Sequence, residues 1–181
     1  AITAVKDTTV VGKEQENMML AWLFKGANDQ QNNTLDVISD LLANGKAGLF
    51  EVDLEQKMKL SSAGAFNYGL HDYTAFIVQA LPNKGQKLED TRALVLGEMD
   101  KLRRGEFADE LLPAVMANKK LNFYKGLDNN DNRASTMVDA FTNDQKWEDV
   151  ATLLDRQSKL TKKDILYFAT KQLRADNSVS V

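Results

Sequence analysis

Met18-Met19-Leu20-Ala21-Trp22-Leu23-Phe24 is an unbroken apolar run that stops at Lys25-Gly26. Bulky side chains in so short a run suggest a buried strand, although periodicity alone does not separate strand from helix. It is the longest apolar run of the chain and far too short to span a bilayer as a helix, which takes about 20 residues. A length of 181 residues fits one domain large enough to build a core around such a strand.

The rest of the chain divides around that run. Residues 1–17 form a less regular leading segment, with Val10-Val11-Gly12 the only hint of a short strand and turn. After a loop crowded with Gly, Asn, Asp and Gln, Asn33 is the expected N-cap of a helix with Asp36 in its first turn. Leu35, Ile38, Leu41 and Leu42 share one face of that helix, and Asn44-Gly45 stops it. Ala47 to Leu54 reads as a short second helix. Ser61 to Tyr68 and Tyr73 to Leu81 read as strands joined by a hairpin at Gly69-Leu70-His71-Asp72, the second ending at Pro82.

Helices dominate the second half. Leu88, Leu94, Val95, Met99 and Leu102 make a stripe that Gly105 closes. Pro113 belongs in the first turn of the next helix, whose expected apolar face is Leu112, Val115, Met116, Phe123 and Leu127. Arg133 to Phe141 carries Met137, Val138 and Phe141, and Lys146 to Arg156 carries Trp147, Val150, Leu153 and Leu154. Thr161-Lys162-Lys163-Asp164 opens a last helix as a capping box with Asp in place of Glu, burying Ile165, Phe168, Ala169 and Leu173. Asn177 to Val181 alternates like a strand. The order β-α-β-β-α, a helical cluster and a closing β describes an α+β fold: a βαββαβ-like antiparallel or mixed sheet with helices on one face. No linker, low-complexity tract or internal repeat divides residues 1–181, so one domain is expected. Trp22, Phe24, Phe76 and Trp147 are expected in the core.

Composition removes several chemistries. The chain has no cysteine and one histidine, His71. Disulfides, thiolate nucleophiles and cysteine-rich zinc sites are excluded, as is a zinc site of two His and a carboxylate. With 23 basic and 26 acidic residues the net charge is −3, which argues against a nucleic-acid binder. The basic pairs Arg103-Arg104, Lys119-Lys120 and Lys162-Lys163 read as solvated helix faces. Ala1 to Gly12 lacks the basic and apolar regions of a signal peptide. Absence of cysteine suits cytosol and periplasm alike.

The remaining candidates read as structural. His71 beside Asp72 sits in a hairpin turn, and neighbours in sequence do not make a catalytic dyad. Ser61-Ser62 lacks a nucleophile elbow. Gly45-Lys46-Ala47-Gly48 follows a helix, whereas phosphate-binding loops follow a strand. Asp36, Glu89, Asp90, Asp109, Glu110 and Asp164 fall where helix surfaces and first turns favour carboxylates. Asp128-Asn129-Asn130-Asp131-Asn132 lacks the glycine and terminal glutamate of a calcium loop and reads as a helix-breaking loop. No catalytic or metal-binding residue is nominated, and no substrate-binding residue can be named.

Taken in order, Leu41-Leu42-Ala43-Asn44-Gly45-Lys46-Ala47-Gly48-Leu49-Phe50, then Gln79-Ala80-Leu81-Pro82 before the Leu88 to Gly105 helix, then Asn129-Asn130 to Arg133-Ala134 and the capped helix from Thr161 to Leu173, resemble the insulinase-type (inverted-zincin) peptidase family. The likeness covers residues 15–181 and is to the family's second, non-catalytic domain, a processing-peptidase-like half. It implies a domain of a multi-domain zinc metallopeptidase whose catalytic half carries H-x-x-E-H, two His binding zinc and the Glu activating water. This chain has no such motif. The implied role is to help build the substrate chamber and support the catalytic domain of the same polypeptide, with peptides as substrate of the whole enzyme and zinc only in that other domain. The alternative is a scaffold or binding module of the same fold with no peptidase activity.

Some zinc-free domains of the family supply an Arg and a Tyr, seven positions apart, that bind substrate. The matching positions here are Leu54 or Glu55 and Ser61 or Ser62. Neither group is present, which favours a structural or chamber-lining role over catalytic assistance.

Overall fold

In the computed structural model, which describes residues 6–181, the apolar run is the middle strand of a five-stranded sheet. β2 (Met18–Lys25) pairs antiparallel with β4 (Tyr73–Leu81), from Met18 opposite Ala80 to Lys25 opposite Tyr73. β4 pairs in turn with the edge strand β3 (Ser62–Gly69). On the other side of β2 lies the closing strand β5 (Val179–Ser180), which runs parallel to the short β1 (Lys6–Asp7). The sheet order is therefore β1-β5-β2-β4-β3, the mixed sheet of an α+β fold.

Alternation along the strands defines two faces. Met18, Leu20, Trp22 and Phe24 of β2 and Thr74, Phe76, Val78 and Ala80 of β4 point into the core. There they meet α1 (Gln31–Leu42), α2 (Leu88–Arg104) and α7 (Lys162–Gln172), which bury Leu35, Ile38, Val95, Met99, Ile165 and Ala169. Phe24 stacks on Phe168 of α7, centroids 6.0 Å apart. The apolar run is thus buried on one face only: Leu23, on the opposite face, remains 47% exposed. A continuous apolar run suggested burial on both sides, and its outward half instead contributes to an uncovered surface.

Several local expectations shift for identifiable reasons. α1 starts at Gln31, two residues before Asn33, because the Asp29 carboxylate accepts from the Gln31 N–H at 3.0 Å. Val10-Val11-Gly12 is irregular, and the leading strand is β1; residues 1–5 lie outside the described residues. The second helix begins at Leu49 and widens into a π-helical turn, Glu51–Glu55. Ahead of it, Asn44 Oδ1 accepts from the Ala47 N–H at 2.9 Å in the loop that leads into the helix. The segment 146–156 splits into α5 (Trp147–Ala151) and α6 (Leu153–Gln157) at Thr152, whose hydroxyl donates back to the Glu148 carbonyl at 2.6 Å. The capping box on α7 forms as read: Thr161 and Asp164 satisfy each other's backbone N–H groups.

The largest departure is in the helical cluster. α3 (Leu111–Leu127) buries Leu112 and Val115 but leaves Leu127 exposed. α4 (Asn130–Thr142) buries only Ala140, while Met137, Val138 and Phe141 face solvent. Trp147, expected in the core, is 49% exposed. Helical spacing identifies an apolar face without saying whether this chain supplies what covers it.

Candidate functional site

None of the residues weighed for catalysis gathers into a reactive group. His71 Nδ1 lies 2.8 Å from Asp72 Oδ1 at the exposed hairpin tip. Ser61 donates its backbone N–H to the Leu81 carbonyl at 3.0 Å, continuing the β3–β4 ladder. Asp164 caps α7, and Asp109 pairs with Lys162 at 2.7 Å. Asn129 caps α4, accepting from Asp131 and Asn132 N–H groups at 2.8 and 3.1 Å, so the expected loop there shrinks to a cap. Among the described residues no three His, Asp or Glu side chains converge to hold a metal. No donor set among the described residues fits a zinc ion.

The positions matched to the family's Arg and Tyr are structural here. Leu54 is fully buried in the core. Glu55 accepts from the Ala63 N–H at 2.7 Å, tying the π-helical turn to the start of β3. These side chains are spent on the fold.

Two basic pairs read as solvated contain members that hold elements together. Lys119 of α3 reaches Asp36 and Asp40 of α1, each at 2.7 Å. Burial pulls its ammonium pKa down, but the two carboxylates outweigh it and hold it above its ordinary value. Arg103 donates to Asp100 and to the Leu173 carbonyl, joining α2 to the end of α7. A third cluster was invisible in sequence. Lys101 lies 2.7 Å from Asp53 in the π-helical turn and 2.8 Å from the buried Glu98. Hydrogen bonds from Lys101 and Lys57 hold the Asp53 pKa down to about 2, while burial pushes Glu98 up.

Two apolar surfaces stay uncovered among the described residues. The outer face of the sheet carries Leu23, Phe66, Tyr68 and Tyr73, all exposed, around half-buried Ala21 and Ile77. Register brings them together: Phe66 stands opposite Ile77, Tyr68 opposite Ala75, and Leu23 opposite Ala75 from the other side. On the helical side, an open groove of about 550 Å³ runs between α3, α4 and α5, with Phe123, Leu127, Met137, Trp147 and Val150 on its walls. Exposed apolar patches larger than scattered single side chains are the kind of surface that commonly meets another molecule or another part of the same protein. No helix among the described residues is long and apolar enough to cross a membrane.

Residues 3–119 match the family model described as the peptidase M16 inactive domain. The zinc protease PqqE of Helicobacter pylori is 26% identical over 183 aligned positions, covering 96% of this chain and 40% of the relative. A crystal structure of a protease from Helicobacter pylori superposes with a TM-score of 0.91 at 21% identity, covering 99% of this chain and 44% of that one. An inactive peptidase domain from Bordetella parapertussis superposes with a TM-score of 0.77 at 15% identity, covering 96% and 95%. The chain therefore spans less than half the length of the Helicobacter relatives and nearly all of the isolated Bordetella domain.

Proposed function

Because the chain belongs to the peptidase M16 inactive domain family, we propose that it is the non-catalytic half of a multi-domain zinc metallopeptidase and lines the chamber that holds the peptide. Its outer sheet face forms a wall of that chamber, and the H-x-x-E-H half of the same polypeptide supplies zinc and the activated water. The uncovered apolar sheet face, with Leu23, Phe66, Tyr68 and Tyr73 exposed together, carries this reading. A peptide side chain laid on such a face removes apolar area from water at about 25 cal/mol per Å². The groove between α3, α4 and α5 is the proposed seat for the catalytic half.

The experiment uses the full-length protein. Replacing Phe66 and Tyr68 together by Ser is expected to raise KM for an apolar peptide substrate several-fold with zinc content unchanged. Unchanged KM in a folded, zinc-loaded double variant overturns the chamber role. The isolated chain is expected to bind no zinc and to cleave no peptide.

A further inference from the structure

Asn44-Gly45 is the only Asn-Gly pair in the chain, and it lies in the loop that links α1 to the π-helical turn. In an Asn-Gly pair the glycine nitrogen can attack the asparagine side-chain amide with no Cβ in the way. The fold engages each polar group of that reaction in a hydrogen bond elsewhere. Asn44 Nδ2 donates to the Asp40 carbonyl at 3.0 Å, anchoring the amide to the end of α1. Asn44 Oδ1 accepts from the Lys46 and Ala47 N–H groups at 3.1 and 2.9 Å. The Gly45 N–H, whose nitrogen is the would-be nucleophile, donates to Glu51 Oε1 at 2.8 Å.

Glu51 is an unusual latch. Its side chain is buried, with the residue only 8% exposed, and its second carboxylate oxygen has no hydrogen-bond partner. A buried carboxylate oxygen without a donor is costly, so the latch is held by packing rather than by a full set of hydrogen bonds. The loop it closes is exposed at Gly45, Lys46 and Ala47. Gly45 adopts φ +77° with nothing within 4 Å of where a Cβ would stand. Exposed loops closed by few contacts open locally at far lower free energy than the whole domain unfolds.

We propose that Asn44 is a latent self-modification site, shut by Glu51 and exposed each time the loop opens. When Glu51 lets go, the Gly45 nitrogen gives its proton to solvent base and bonds to Asn44 Cγ. The Cγ–Nδ2 bond breaks, and the amide nitrogen takes up a proton and leaves as ammonia. Water then opens the succinimide ring at either carbonyl, giving aspartate or isoaspartate. Neither product has the Nδ2 donor that reaches Asp40. Each places a new carboxylate in the loop that Glu51 closes, and isoaspartate also lengthens the backbone. Reclosure is disfavoured, so the conversion is a one-way record of loop opening.

The test follows conversion of Asn44 by peptide mass spectrometry, with chromatographic separation of the isoaspartyl peptide, in mildly alkaline buffer. The native chain is compared with the same chain unfolded in urea and with folded Glu51→Ala and Gly48→Ala; a Cβ at Gly48 would collide with Glu51 Oε2 and the Leu42 carbonyl. Native conversion is expected to be at least about tenfold slower than in urea, and each variant to accelerate it roughly fivefold or more. A native rate equal to the unfolded rate overturns the proposal. So does a wild-type rate in both folded variants. Should both variants unfold, the wild type is followed in sub-denaturing urea, where conversion must track hydrogen exchange at the Gly45 amide; failure to track overturns the proposal.

Discussion

Lys101 Nζ lies 2.7 Å from Asp53 Oδ2 and so pins the π-helical turn onto α2 across 48 positions of chain. Asp53 is held down to about 2 from 3.8, so the folded state binds its proton less readily than the unfolded state. Its stabilisation is complete above pH 3.8 and is lost as pH falls toward about 2. Asp53→Asn is expected to flatten that acid limb of the urea-denaturation midpoint. Lys101→Met strands the buried Glu98 charge and is expected to cost about 2 kcal/mol at neutral pH.

Glu98 carries the opposite sign. Burial raises its pKa above 4.5, so the charged form opposes folding at neutral pH. Glu98→Gln is expected to stabilise the chain there, the gain fading as pH falls through the raised pKa toward 4.5. Denaturation midpoints taken over that range check it.

Trp22 donates its indole N–H to the Arg174 carbonyl at 2.7 Å while its ring tilts against Phe76, centroids 5.9 Å apart. Trp22→Phe takes the indole donor from that carbonyl, leaving it only the 3.4 Å bond from the Asn177 N–H, and opens a void in the core beside Phe76. A loss of about 2–3 kcal/mol is expected by chemical denaturation.

Met58 sits at φ 52° with 82% of its surface exposed. A side chain in that backbone region costs about 1–2 kcal/mol, part of which glycine returns as unfolded-state entropy. Met58→Gly is expected to raise stability by about 0.5–1 kcal/mol, whereas Met58→Ala leaves it unchanged.

The exposed apolar side chains of the helical cluster predict a separation of stability from association. Phe141, 87% exposed, contributes little to the isolated fold. Phe141→Ser combined with Met137→Ser is expected to shift stability by less than about 1 kcal/mol. The same pair is expected to weaken binding to the catalytic half, read by calorimetry with the two halves mixed.

The strands, the hairpin, the capping box at Thr161 and the core stripe of α2 were legible because each depends on neighbours within a few residues. So was the lack of a metal-binding motif, since one histidine is a count. What escaped were pairings over long separations, such as Lys119 with Asp36 or Lys101 with Asp53, where charge pattern says only that a residue is polar. Trp147 and Phe141 escaped for a different reason. Spacing shows that a face is apolar, and burial depends on whether another part of the protein covers it. The surfaces proposed to act lie where that rule failed.

The strand order has a consequence for how such a domain comes into being. β5, the strand of this sheet that comes latest in sequence among the described residues, takes a place beside the middle strand, between β2 and β1. Until Val179 and Ser180 emerge, β2 offers a bare edge of unpaired amides and carbonyls, and β1 has nothing to pair with. The nascent sheet must wait for its final residues, exposed throughout synthesis to capture by any extended strand nearby. Truncating the last few residues should therefore show first as insolubility during expression, before any loss of thermal stability can be measured.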